Sequence, residues 1–242
     1  MRQAMAVTFR SLWGVVLLAP LAWLPANGVA ADGCTHPREG TPLPLTPLLQ
    51  PQPDTKAPAP DYRQRLSTTP LGWPVRTTWC VWVEPAEPGD RSAVGATRWL
   101  EAVTRALAEW QTLISLQMVP APEWAHVTIW RRRPPLGVDP AGRPRASNGR
   151  AILSLHGSGG TPPARVEPRV QVLISPDQRL EALQATALHE LGHAFGIWGH
   201  SDHPDDAMAV SAGPRPILRL SPRDRATVRW LYAQPSPLRS DP

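Results

Sequence analysis

Two histidines four positions apart, His189 and His193, lie in a stretch whose apolar residues recur at helical spacing. Leu180, Leu183, Ala187, Leu191 and Ala194 fall three or four apart, which builds one buried stripe along a helix. Both imidazoles then point the same way, one turn apart and off the stripe, with Glu190 between them. This H-E-x-x-H spacing offers two nitrogen ligands for zinc and a carboxylate able to reach a water on the metal. Gly196 marks where the helix must end if the chain is to turn back toward the metal. Four of the seven histidines fall between His189 and His203, so further imidazoles, His200 and His203, follow the helix closely. Upstream, Ser175-Pro176-Asp177-Gln178 combines an N-cap serine, a proline suited to the first helical position and a capping-box glutamine. That pattern predicts a helix from Pro176.

The elements before this helix read as follows. Residues 75–83 are β-branched and aromatic and predict a strand stopped at Pro85. Trp99, Leu100, Val103, Leu107, Trp110 and Ile114 predict an amphipathic helix over 92–114. Strands follow at Val127–Trp130, Ala151–Leu155 and Val170–Ile174, the last two separated by a turn region over 157–163. Strand, helix, strands, helix argues for an α/β fold with a mixed sheet. The tryptophans fall at helix and strand spacing and read as core, not as a ligand cage.

The run His189-Glu190-Leu191-Gly192-His193-Ala194-Phe195-Gly196-Ile197-Trp198-Gly199-His200-Ser201 resembles the active-site signature of the matrixin branch of the metzincin zinc peptidases. The family pattern H-E-x-x-H-x-x-G-x-x-H would place its third ligand at Gly199, so His200 comes one residue late. Ser201, Pro204 and Met208 then match the family's run into its methionine turn, whereas Ala209-Val210 departs from the aromatic-proline pair usual after it. The resemblance continues more weakly over Val75–Val83, Ala108-Glu109-Trp110 and Ala125–Ile129, and to Leu220-Ser221-Pro222-Arg223-Asp224, which opens a last helix. It implies a small bacterial matrixin-like zinc metallopeptidase. The implied fold is a metzincin-like mixed twisted sheet with two main helices and a small C-terminal subdomain ending in a helix. Zinc is the implied cofactor, with His189, His193 and His200 as ligands and His203 as the alternative third ligand, Glu190 as general base for a zinc-activated water, and Met208 as the floor under the metal. Substrate, a protein or peptide, would lie along Ala151–Leu155 as an edge strand. The alternative is a family member that binds zinc and protein without cleaving. No second metal cluster is readable; His126, His156, Asp139 and Asp177 are scattered.

Composition sets the organisation around this domain. Arg2 and Arg10 precede an apolar run over 12–24, and Val29-Ala30-Ala31 suits signal peptidase, so residues 1–31 read as a signal peptide and the chain as secreted, extracellular or periplasmic. Pro20 and Pro25 argue against a retained membrane span. Export gives Cys34 and Cys80 an oxidising compartment in which to pair, two unpaired thiols being the alternative. Of 31 prolines, many fall before residue 74, which makes 32–74 a tether, a surface wrap or a pro-segment. The catalytic domain is then 75–235, with 236–242 as a tail. A formal charge of +5 comes almost wholly from arginine, Lys56 being the lone lysine. Arg131-Arg132-Arg133 is the only tight basic run, and no nucleic-acid module accompanies it. A monomer that engages neither nucleic acid nor membrane is expected.

Overall fold

The computed structural model describes residues 34, 39–43, 50–51, 60–87, 92–138, 142–160, 163, 165–211 and 213–239. The signal-peptide reading of residues 1–31 lies outside the described residues. In chain order the main elements are β1 (Thr41–Pro42), β2 (Thr78–Val83), α1 (Ala93–Gln111), β3 (Ser115–Met118) and β4 (Val127–Trp130). They continue as β5 (Gly149–Ser158), β6 (Arg165–Ile174), α2 (Leu180–Ala194) and α3 (Pro222–Ala233). Six of these strands form one mixed twisted sheet in the order β1-β5-β6-β4-β2-β3. The β3, β2, β4 and β6 neighbours are parallel, and β6, β5 and β1 are antiparallel. This is the metzincin-like α/β architecture that the resemblance implies.

Alternation along the strands sorts the core. On β2, Trp79 and Val81 face the helices and are fully buried, joined there by Val127 and Ile129 of β4. Cys80 and Trp82 point to the other face and pack with Cys34, Val119 and Ala125. The two cysteines form a disulfide with Cα atoms 5.8 Å apart. α1 is capped by Ser92, whose hydroxyl accepts the Gly95 N–H, and lays Trp99, Val103, Leu107 and Trp110 on the core. The indole N–H of Trp110 donates to the Leu188 carbonyl at 3.0 Å, fixing α1 against α2. Phe195 fills the space between Trp79 and Trp110. Tyr232 of α3 closes the far end, accepting from the Trp79 indole at 2.8 Å and donating to the Phe195 carbonyl at 3.0 Å.

Four expectations need correction. α2 begins at Leu180, with Arg179 at its N-cap, instead of at Pro176. Gln178 turns its amide back onto the Ser175 carbonyl at 2.9 Å and accepts the Thr186 hydroxyl, while the Ser175 N–H donates to Asn148. The capping residues are therefore spent on a turn that ties β6 to the start of β5. α1 ends at Gln111, short of Ile114, and the chain passes almost directly into β3, which the sequence reading lacked. β5 and β6 are longer than foreseen and pair over ten residues. Nor is β5 a free edge throughout, because β1 sits outside it at Gly157 and His156, and the Leu43 N–H donates to the Leu155 carbonyl. Among the described residues, β1 covers only that far end.

The packed body also takes in residues upstream of Trp73. Tyr62 and Leu66 are fully buried in the main core. The Tyr62 hydroxyl donates to Asp224 at 2.7 Å, and Leu66 bridges Gly199. Among the described residues, no helix is long and apolar enough to cross a membrane.

Candidate metal centre

The last two turns of α2 carry His189, Glu190 and His193 at the edge of the core. After Ala194 the chain bends at Gly196, whose φ of +106° is a conformation that side-chain-bearing residues rarely adopt. The Ile197 N–H then returns to the Gly192 carbonyl at 2.9 Å, closing the helix end and sending the chain back. That return brings His200 beside the other two. One ring nitrogen from each of His189, His193 and His200 lies within 4.8 Å of the others. Ring centroids are 4.9 Å apart for His189 and His193, 4.8 Å for His193 and His200, and 5.3 Å for His189 and His200. His203 is outside this group, exposed on the loop beside Asp205.

Hydrogen bonds set which nitrogen is available. His189 Nδ1 lies 2.9 Å from the Ala207 carbonyl, and His193 Nδ1 lies 2.6 Å from the Ile197 carbonyl. A carbonyl only accepts, so each Nδ1 carries the proton and donates, leaving Nε2 with its lone pair. Burial also favours the neutral ring. It pushes His189 down to about 4, against the opposing Ala207 hydrogen bond, and His193 down to about 3, with the neighbouring imidazoles adding to the effect. Burial lowers His200 as well. Three neutral, converging imidazoles are the donor set that zinc takes in sites which keep an open position, so the residues fit that ion.

Glu190 is turned toward the start of β5. Burial raises its carboxyl to about 7, opposed by a hydrogen bond from the Ala151 N–H and by the Arg150 charge. Beside it a cleft of about 390 Å³ is walled by His189, Glu190, Thr186, Pro204, Val210 and Ile217, among others. Most of the remaining wall comes from the chain on either side of Met208, from Pro204 to Ile217.

Met208 is fully buried. Its Sδ and Cε lie against Gly192, where any added Cβ would collide with them. The Ser201 N–H donates to the Met208 carbonyl at 2.7 Å, closing the loop that follows His200. Sequence reasoning missed what holds this turn. The Asp224 carboxylate accepts from the Ala207 N–H at 2.8 Å, from the Ser221 N–H at 2.9 Å and from the Tyr62 hydroxyl. Asp206 accepts from the hydroxyls of Ser201 at 2.5 Å and Ser221 at 2.6 Å. One carboxylate thus holds the N–H of Ala207, the residue whose carbonyl orients His189. The capping box at Ser221 and Asp224 is the only signal the sequence carries for it.

No family model matches the chain. A stretch of it is similar to matrix metalloproteinase-19. It is 45% identical to the mouse protein over 56 residues and 43% identical to the human protein over 60 residues. These alignments cover 23% and 24% of this chain, and 10% and 12% of the two relatives. The chain spans about a tenth of the length of the curated relatives it matches. The likeness is local.

Proposed function

We propose that this chain is a matrixin-like zinc endopeptidase, with His189, His193 and His200 as ligands and Glu190 as the proton-transferring group. The observation that carries the reading is the convergence of three imidazoles held neutral by burial, two with their Nδ1 protons engaged by carbonyls, beside a buried carboxyl. The partial similarity to matrix metalloproteinase-19 supports the same reading. Zinc bound there supplies a Lewis acid that polarises a carbonyl and makes a water acidic near neutral pH.

Each protein group then has a definite task. Glu190 takes a proton from the attacking water on its carboxylate oxygen and gives it to the departing amine nitrogen. The outer edge of β5 from Gly149 to Ser154 offers main-chain groups to an extended peptide, and the cleft beside α2 takes one of its side chains. Met208 and Gly192 keep the base of the site rigid. We further propose that residues 1–31 are an export signal, that 32–74 form an arm partly wrapped on the domain, and that the protein acts outside the cytoplasm on proteins or peptides, as a monomer.

The test is direct. The purified protein is assayed for zinc content and for cleavage of a denatured protein, beside Glu190→Gln. Cleavage should fall about 10²- to 10⁴-fold in the variant while zinc content stays the same. Zinc without Glu190-dependent cleavage would replace this reading with a non-catalytic zinc-binding protein.

A further inference from the structure

We infer that the segment Tyr62–Ser67 and the residue Gly199 form a positioning device for His200, so that the third ligand is set by chain far upstream of the HExxH helix. The inference rests on the zinc-site reading above and concerns the one place where the loop is a residue longer than the resemblance expects.

The extra length is taken up by pairing. The Ser67 N–H donates to the Trp198 carbonyl at 2.6 Å, and Leu66 forms an antiparallel bridge with Gly199. The fit at Gly199 leaves no room for a side chain. A Cβ there would strike the Arg65 carbonyl oxygen and come within 2.9 Å of its carbon and 3.0 Å of Leu66 Cα. These are main-chain atoms, so nothing flexible can move aside. On the other side of His200 the Arg65 guanidinium meets Asp202 at 3.0 Å, and Arg223 meets the second Asp202 oxygen at 2.9 Å. One upstream residue therefore touches the loop immediately before and two residues after the ligand. The segment is itself anchored, with Tyr62 and Leu66 buried and the Tyr62 N–H and hydroxyl bonded to Thr227 and Asp224 of α3.

Magnitudes separate the two halves of this grip. The Arg65–Asp202 pair is 47% exposed on each side, and exposed pairs contribute little. The main-chain pairing and the steric fit at Gly199, made by half-buried residues beside the buried Leu66, carry the positioning. Gly199→Ala is therefore the decisive change, and Arg65→Ala a mild one.

The experiment uses the full chain and measures zinc affinity by chelator competition and the visible spectrum of the cobalt-substituted protein. Gly199→Ala and Ser67→Pro, which deletes the N–H bonded to Trp198, should each lose about 10- to 100-fold in zinc affinity and change the cobalt bands in the direction of His200→Ala. Ile129→Ala, a core change in β4, should lower the melting temperature and leave affinity and bands unchanged, which separates positioning from stability. Should one positioning variant fail to fold, the other decides. Wild-type affinity and spectrum in the folded variants would overturn the inference alone. A wild-type chain that binds no zinc would overturn the proposed function and this inference with it.

Discussion

Metal binding requires neutral imidazoles, and at His189 and His193 that form is imposed by burial before any ion arrives. The consequence is a pH dependence of folding. In the unfolded chain each ring titrates near 6.5, whereas in the folded metal-free protein they titrate near 4 and 3. Below 6.5 the unfolded state therefore binds more protons, and stability present above that pH is lost as pH falls through the folded values. For His189 alone the loss is on the order of 3 kcal/mol. Urea unfolding of metal-free protein should show midpoints that decline from pH 6.5 toward 4. Zinc-saturated protein should hold its midpoint to lower pH, because metal and proton compete for the same nitrogens. A metal-free protein whose midpoint is flat over this range would contradict the burial argument. The three converging histidines were legible in sequence because their spacing is local to one helix and its return loop. Asp224 was not, since its work on Ala207 spans seventeen residues and depends on how α3 meets the loop.

At the scale of elements, the segment before β2 is fastened to the rest of the fold at three points. These are the Cys34–Cys80 disulfide, the β1 strand on β5 and the packing of Tyr62 and Leu66. The disulfide closes a loop of 46 residues, which the chain-entropy relation values at about 4 kcal/mol. Replacing Cys34 by Ser and Cys80 by Ala should lower the urea-derived stability by about that amount and leave zinc affinity unchanged. A loss of affinity would show that the sheet face carrying Cys80 communicates with the histidines. The centres of β2, α1, β4 and α2 were readable because periodicity and composition act within each segment. Their ends were not. The Ser175–Gln178 capping pattern was real as chemistry, but the Ser175 N–H is bonded to the Asn148 carbonyl just before β5, and the helix begins four residues later than foreseen. β3 escaped notice because Ser115–Met118 is short and partly polar, and is a strand only by its pairing with β2.

For the molecule as a whole, the question is where the folding unit begins. A start at residue 75 is the natural reading of the sequence, since the prolines thin out there and the β-rich run begins. Tyr62 and Leu66 argue for an earlier start, because both are buried against groups more than a hundred residues away. No local pattern in a proline-rich stretch could reveal partners at that distance. Two truncations, both with Cys80→Ser, make the comparison. A chain from Pro60 should unfold cooperatively and bind zinc. A chain from Val75 leaves the spaces of a buried tyrosine and leucine unfilled, a cost of roughly 5–10 kcal/mol. That is comparable to the whole stability of a typical domain, so no cooperative transition should be seen by thermal melting.

The disulfide also governs what proteolytic maturation could release. Any single cut between Cys34 and Cys80 yields two pieces that remain one covalent molecule, joined through sulfur. A nick in the proline-rich arm would therefore free an end without shedding the fragment that carries β1. The cleaved protein would migrate intact on a non-reducing gel and as two bands once reduced. Where the compartment stays oxidising, the arm is retained after cutting, and its departure from the β5 edge becomes a matter of redox chemistry.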